Sequence, residues 1–188
     1  MTTAPRQELR DRQVETVERL LVAGAEELAE VGHETLTIRS VAARAGVSPA
    51  TAYTYLASKN HLFAELFLRR LLDQPETDAS AADPVVRVQA MTRAMAAMLA
   101  TSPALAAAVT PALLGSDPDV ARLRLRIGTE FLRRFAVALG RPADDVLIEA
   151  LNLAFSGAML QAGMGVMSFD EMATRLDAVV ATIMKGHA

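Results

Sequence analysis

At four places in this chain a serine or an aspartate stands directly before a proline: Ser48-Pro49, Asp83-Pro84, Ser102-Pro103 and Asp117-Pro118. Proline fits the first helical turn, where its missing N–H costs nothing, and the preceding side-chain oxygen accepts from the open amides of that turn. Each pair therefore marks a helix start. Ser168 with Glu171 three positions on adds a capping box, and Pro142 after Gly140 marks one start more.

Between these marks apolar residues recur at three- and four-residue steps. Val14, Val17, Leu21, Ala25 and Leu28 form one such stripe, ended by Gly32, the pattern of a helix buried along one face. No stretch alternates with period two between turn residues, and aromatics are only 4% of the chain, so strands are not expected. The expected fold is all-α with about nine helices, over 10–31, 38–45, 49–55, 59–72, 84–101, 103–114, 118–139, 142–167 and 169–185. With 52% hydrophobic against 22% charged residues, 188 residues suffice for a substantial core. The polar, helix-poor stretch 73–83 reads as a linker.

The segment from Leu36 to Leu56 carries the chemistry. Thr37 caps a short helix whose inner face is Ile38, Val41, Ala42 and Ala45. Gly46 permits a left-handed turn, Val47 plugs the crevice, and Ser48 caps a second short helix. This is a helix-turn-helix, in which the second helix enters the DNA major groove and the first spans the backbone. Both tyrosines of the chain, Tyr53 and Tyr55, fall on that second helix.

The order Gly46-Val47-Ser48, Thr51, Tyr53, Tyr55, Ser58-Lys59, Leu62 resembles the TetR family of bacterial transcriptional regulators over about residues 28–68. Leu56 stands where the family usually has phenylalanine, and Ala52 where leucine is commoner. The resemblance implies a helix-turn-helix DNA-binding domain over residues 1–57 and a helical effector-binding and dimerisation domain over 58–188. The expected DNA-binding residues are Thr37, Arg39, Ser48, Pro49, Ala50, Thr51, Tyr53, Thr54, Tyr55 and Lys59. Arg39 has the fork for guanine or for phosphate; Thr51 offers a hydroxyl and a methyl to base edges; Tyr53, Tyr55, Thr37 and Lys59 suit phosphate. Arg6, Arg10 and Arg12 form either an N-terminal arm or a solvated charge cluster.

A short reading helix makes too few contacts alone, so the partner is expected to be a double-stranded DNA operator bound by a homodimer. Residues 146–167 are apolar around nearly the full helical circumference, which predicts burial on both sides. Ala150, Ala154, Gly157 and Ala158 are small enough for close approach, and with Gln161, Leu176, Val180 and Ile183 they make the expected dimer face, a bundle of the last two helices of each subunit.

Met91, Met95, Met98, Leu125, Phe131, Phe135, Phe155 and Met159 line either a plain core or a cavity for a small hydrophobic effector. Arg124 projects among apolar positions; it either pairs with a carboxylate such as Asp83 or Glu149, or joins Asn152 and Gln161 in orienting the polar end of an effector. The resemblance to ligand-responsive repressors implies an effector whose binding displaces the reading helices, with helix 59–72 as lever. The alternative is a DNA-binding dimer without an effector, whose rear domain serves dimerisation or protein docking.

Other classes are disfavoured. The chain has no cysteine, which excludes disulfides, thiolate nucleophiles and cysteine-ligated zinc. His33, His61 and His187 are scattered, and Asp144-Asp145 face different ways on a helix, so neither a metal, a cofactor nor an enzyme active site is expected. Net charge is −3, with nine basic and nine acidic residues in the first 72, so DNA contact must be local. The first thirty residues offer neither a signal peptide nor a bilayer-spanning run, and a cytoplasmic protein without membrane contact is expected.

Overall fold

The computed structural model describes residues 4–77, 83–140 and 144–186. Among the described residues run nine helices and no strand: α1 (Ala4–Thr35), α2 (Ile38–Arg44), α3 (Pro49–Tyr55), α4 (Lys59–Leu72), α5 (Pro84–Ala100), α6 (Pro103–Leu114), α7 (Pro118–Leu139), α8 (Asp145–Gly163) and α9 (Phe169–Lys185). The cap-proline pairs start α3, α5, α6 and α7 as their chemistry dictates. Asp83 accepts from the Val85 amide at 2.8 Å and Asp117 from that of Asp119 at 2.9 Å. Ser102 differs, making no side-chain cap to its own helix. The Ser168–Glu171 box is reciprocal, at 3.1 and 2.8 Å.

Two helices, α1 and α8, differ from their expected bounds at both ends, α8 closing at Gly163 rather than 167. Pro142 lies outside the described residues, and α8 is started by Asp144, whose carboxylate accepts from the Val146 and Leu147 amides at 2.7 and 3.3 Å. Helix α1 begins earlier than its apolar stripe and is broken at Gly32, whose φ of 74° suits only glycine. By length and composition α8 is also apolar enough to cross a membrane, but its Leu147, Leu151 and Phe155 are buried in the protein's own core.

Two apolar clusters hold the fold together. The rear one joins Phe67 and Leu71 of α4 to Met91, Met95 and Leu99 of α5, Phe131 and Phe135 of α7, Phe155 of α8 and Leu176 and Val180 of α9. The front one joins Leu20 and Leu28 of α1, Val41, Ala42 and Ala52 of the helix-turn-helix, Leu62, Phe63 and Leu66 of α4, and Leu105, Ala108 and Ala112 of α6. Helix α4 serves both clusters: its Leu62, Phe63 and Leu66 belong to the front one and its Ala64, Phe67, Leu68 and Leu71 to the rear. Each fully buried side chain of this size contributes roughly 1.5–3 kcal/mol. At Gly24, α1 crosses so near α4 that a Cβ would lie 2.8 Å from Leu62 Cδ1.

Arginines close three helix C-termini, satisfying carbonyls that a helix leaves open. Arg87 of α5 donates to the Ala138 and Leu139 carbonyls of α7 at 2.7 and 3.0 Å. Arg134 of α7, 2% exposed, donates to the Leu71, Gln74 and Pro75 carbonyls after α4 at 2.7, 3.1 and 3.2 Å, and to Glu130 at 2.7 Å. Arg124 closes α6, donating to the Leu113 and Gly115 carbonyls, both at 2.6 Å.

Candidate nucleic-acid interface

The reading head is built by local chemistry. Thr37 caps α2, its Oγ1 accepting from the Ser40 amide at 3.1 Å while its own amide donates to Ser40 Oγ at 3.2 Å. Gly46 turns the chain at φ 66°. A Cβ there would meet no atom within 4 Å, so it is the left-handed backbone, not lack of space, that requires glycine. The Val47 amide then closes onto the Ala42 carbonyl at 3.0 Å, and Ser48 Oγ accepts from the Thr51 amide at 3.1 Å. Ala42 and Ala52, both fully buried, let α2 and α3 cross closely.

With that inner face fixed, α3 turns Pro49, Ala50, Tyr53 and Thr54 outward, together with Ser48 before it and Thr37 and Arg39 from α2. Tyr53 is 50% exposed. Thr51 is half-buried, its Oγ1 lying 2.9 Å from Ser48 Oγ, and Tyr55 packs partly against the front core. Arg39 is exposed and has no ion-pair partner among the described residues, whereas Arg44 is committed to Glu27 at 2.7 Å and to Glu30. The Ser40 hydroxyl and Arg44 together hold the Glu27 carboxyl below its ordinary range. Lys59 lies at the end of α1, donating to the His33 and Glu34 carbonyls at 3.3 and 3.4 Å. Arg10 and Arg12 are exposed on α1 itself rather than on an extended arm; the Arg6 side chain lies outside the described residues.

The residues expected around a cavity fall into two sets. Met91, Met95, Met98, Phe131, Phe135 and Phe155 are buried together, with Met159 packed on their edge. Phe155 meets Phe131 and Phe135 edge-on at ring distances of 5.1 and 6.1 Å. Leu125 does not belong with them: it is 74% exposed, because α7 turns Leu123, Ile127 and Phe131 inward instead. Arg124 also departs from expectation, taking neither Asp83 nor Glu149 but the open carbonyls of α6. Asn152 is half-buried and its Oδ1, shielded from solvent, accepts no hydrogen bond; Gln161 is exposed.

The expected dimer face is likewise split. On α8, Ala150, Ala154 and Ala158 are half-buried and Gly157 exposed, on a side that also carries Val146 and Leu153, 72% and 64% exposed. On α9 the expectation is corrected: Leu176 and Val180 are buried in the subunit's own core against α5, and Val179 is the residue turned outward, with Ile183 half-buried.

Sequence reasoning missed the buried Glu130–Arg134 pair, whose arginine is placed by the backbone carbonyls after α4, acceptors without a sequence signature. It also missed a cleft of about 620 Å³ between α1, α4 and the α5–α6 corner, assembled from three segments far apart in the chain. His187 lies outside the described residues; among those described, no group of three metal-ligating side chains converges.

Residues 20–66, which contain the reading head, match the model for bacterial regulatory proteins of the tetR family. An uncharacterized HTH-type transcriptional regulator of Mycobacterium tuberculosis is 45% identical over 178 residues, 93% of this chain and 83% of that protein. The HTH-type transcriptional repressor KstR of Rhodococcus jostii is 29% identical over 142 residues, 73% of this chain and 67% of that protein. The crystal structure of a TetR transcriptional regulator from Rhodococcus sp. RHA1 superposes with a TM-score of 0.75 at 21% identity, covering 93% of this chain and 97% of that one. The helix-turn-helix geometry and these likenesses agree: the chain belongs to the TetR family of bacterial DNA-binding transcriptional regulators.

Proposed function

We propose that this protein is a cytoplasmic, homodimeric repressor that reads a palindromic operator through α3 and leaves it when a small hydrophobic effector binds. The observation that carries the reading is the outward edge of Arg39, Tyr53 and Thr54, held on a rigid inner face of Val41, Ala42 and Ala52. Arg39 contacts a base edge or phosphate, Thr51 and Thr54 reach bases, and Thr37, Ser48, Tyr53, Tyr55 and Lys59 position the backbone. Lys59 uses its remaining donor for this.

The apolar side of α8 around Val146, Leu153 and Gly157 supports dimerisation, since a ridge of this kind needs a cover in water. Two heads then meet half-sites about 34–36 Å apart or a variant of that spacing. Repression is supported by the likeness to KstR. An effector that prefers a conformation with misplaced heads shifts the equilibrium off DNA, a coupling of about 1–3 kcal/mol.

Selection of binding sites from genomic DNA tests the reading, with a palindrome as the expected product. Arg39→Ala should cost about 1–3 kcal/mol at one base pair of the half-site, Tyr53→Phe should weaken all sites alike, and Lys59→Ala should flatten the salt slope by about one unit. Leu153→Glu should give a monomer in sedimentation. A second reading, a dimer without effector, is favoured by the tight ring packing of Phe131, Phe135 and Phe155. A thermal-shift screen that finds no stabilising small molecule, or only ones that leave operator affinity unchanged in a separate DNA-binding titration, selects it.

A further inference from the structure

The cleft of about 620 Å³ is walled by Leu21, Ala25 and Leu28 of α1, Leu66 of α4 and Leu105 of α6, a size within the roughly 300–1,000 Å³ of small-molecule sites. Its polar end is at the corner where α5 and α6 meet at 105°. Arg69 there is committed to Glu18. Arg70 is not committed: its guanidinium donates to Thr101 Oγ1 at 3.1 Å and has no carboxylate within ion-pair distance among the described residues. Beside it, the first turn of α6 lines the same cleft with no side-chain cap, so its amides and helix dipole add positive potential next to Arg70. Asp73 stands at the rim and disfavours a second negative charge on any occupant.

We propose that this cleft binds an amphipathic monocarboxylate, its head on Arg70 and the first turn of α6 and its hydrocarbon tail along Leu21, Leu28, Leu66 and Leu105. The site lies between the reading head and the rear domain. Its regulatory consequence rests on the effector-released reading above: an occupant that wedges α1 from α4 changes the setting of α3.

Calorimetric titration of the full-length protein with decanoate, and with decyltrimethylammonium as the cation of the same tail, tests the site. Decanoate is expected to bind and the ammonium at least tenfold more weakly. Arg70→Gln should weaken decanoate tenfold or more, Arg70→Lys should retain most of the affinity, and Ala25→Trp, at an exposed position, should block binding by filling the cleft. Photolabelling with a diazirine-bearing decanoate should mark α1 and α6. No binding, or binding untouched by both Arg70→Gln and Ala25→Trp in correctly folded protein, overturns the site. If decanoate binds as expected but operator affinity stays unchanged, the site stands and the effector role assigned to it falls.

Discussion

Ser58 and Asp117 join two helix caps with one hydrogen bond. Ser58 Oγ accepts from the His61 amide at 3.0 Å, capping α4, and donates to Asp117 Oδ2 at 2.6 Å, while Asp117 caps α7. The start of α4 is thereby tied to the start of α7, 59 positions away in sequence.

Ser58→Ala removes both the cap and the tie. A loss of about 1–2 kcal/mol in stability is expected from urea denaturation, and operator affinity should change beyond what the lost stability explains, since α3 ends immediately before this joint. Asp117→Asn keeps the cap oxygen and should cost less.

Acid should unfold the protein through its paired carboxylates. Asp117 is held low chiefly by the Ser58 hydroxyl, Glu130 by Arg133 with Arg134, Glu18 by Arg69 and Glu27 by Ser40 with Arg44. Their folded values lie below the unfolded ones of about 4, so the unfolded chain binds more protons in acid. Their stabilisation is complete above the unfolded values and disappears as pH falls through the folded ones. Urea midpoints should therefore hold steady, as far as these groups are concerned, above about pH 5 and drop below about pH 4.

Arg134→Met should be among the most damaging single changes. It leaves the buried Glu130 with Arg133 alone and strips the Leu71, Gln74 and Pro75 carbonyls of their donor, for an expected loss of about 3–5 kcal/mol. Arg134→Lys, lacking the planar fork, should recover only part. Chemical denaturation of both variants decides the matter.

At Gly163 a Cβ would fall 2.0 Å from Thr110 Oγ1 and 2.8 Å from Thr110 Cβ. Alanine normally favours a helix over glycine by about 1 kcal/mol. Here the stiff threonine cannot swing away, and Gly163→Ala should instead destabilise by about 1–3 kcal/mol. Adding Thr110→Ala should restore most of the loss, which a double-mutant cycle of melting temperatures will show.

What was legible in the sequence was what the chain encodes locally. Thr37, Gly46 and Ser48 act on amides and carbonyls within a few residues of themselves, so the reading head and most helix starts follow from their order alone. Gly140-Arg141-Pro142 resembled a start, but the α8 cap is Asp144, because its carboxylate reaches two amides of that turn. Helical periodicity puts Arg124 on an apolar side, and periodicity knows nothing of the α6 carbonyls that receive it. Leu176 and Val180 mislead for the same reason: an apolar stripe on α9 does not say whether α5 or a second copy covers it.

The sharing of one apolar cluster by α1, the helix-turn-helix, α4 and α6 bears on engineering. Operator specificity cannot be transplanted between relatives by a splice after residue 57, which would strand Leu62, Phe63, Leu66, Leu105, Ala108 and Ala112 against a foreign surface. A chimera that works must carry these six positions along with the head, or redesign them to match their new neighbour.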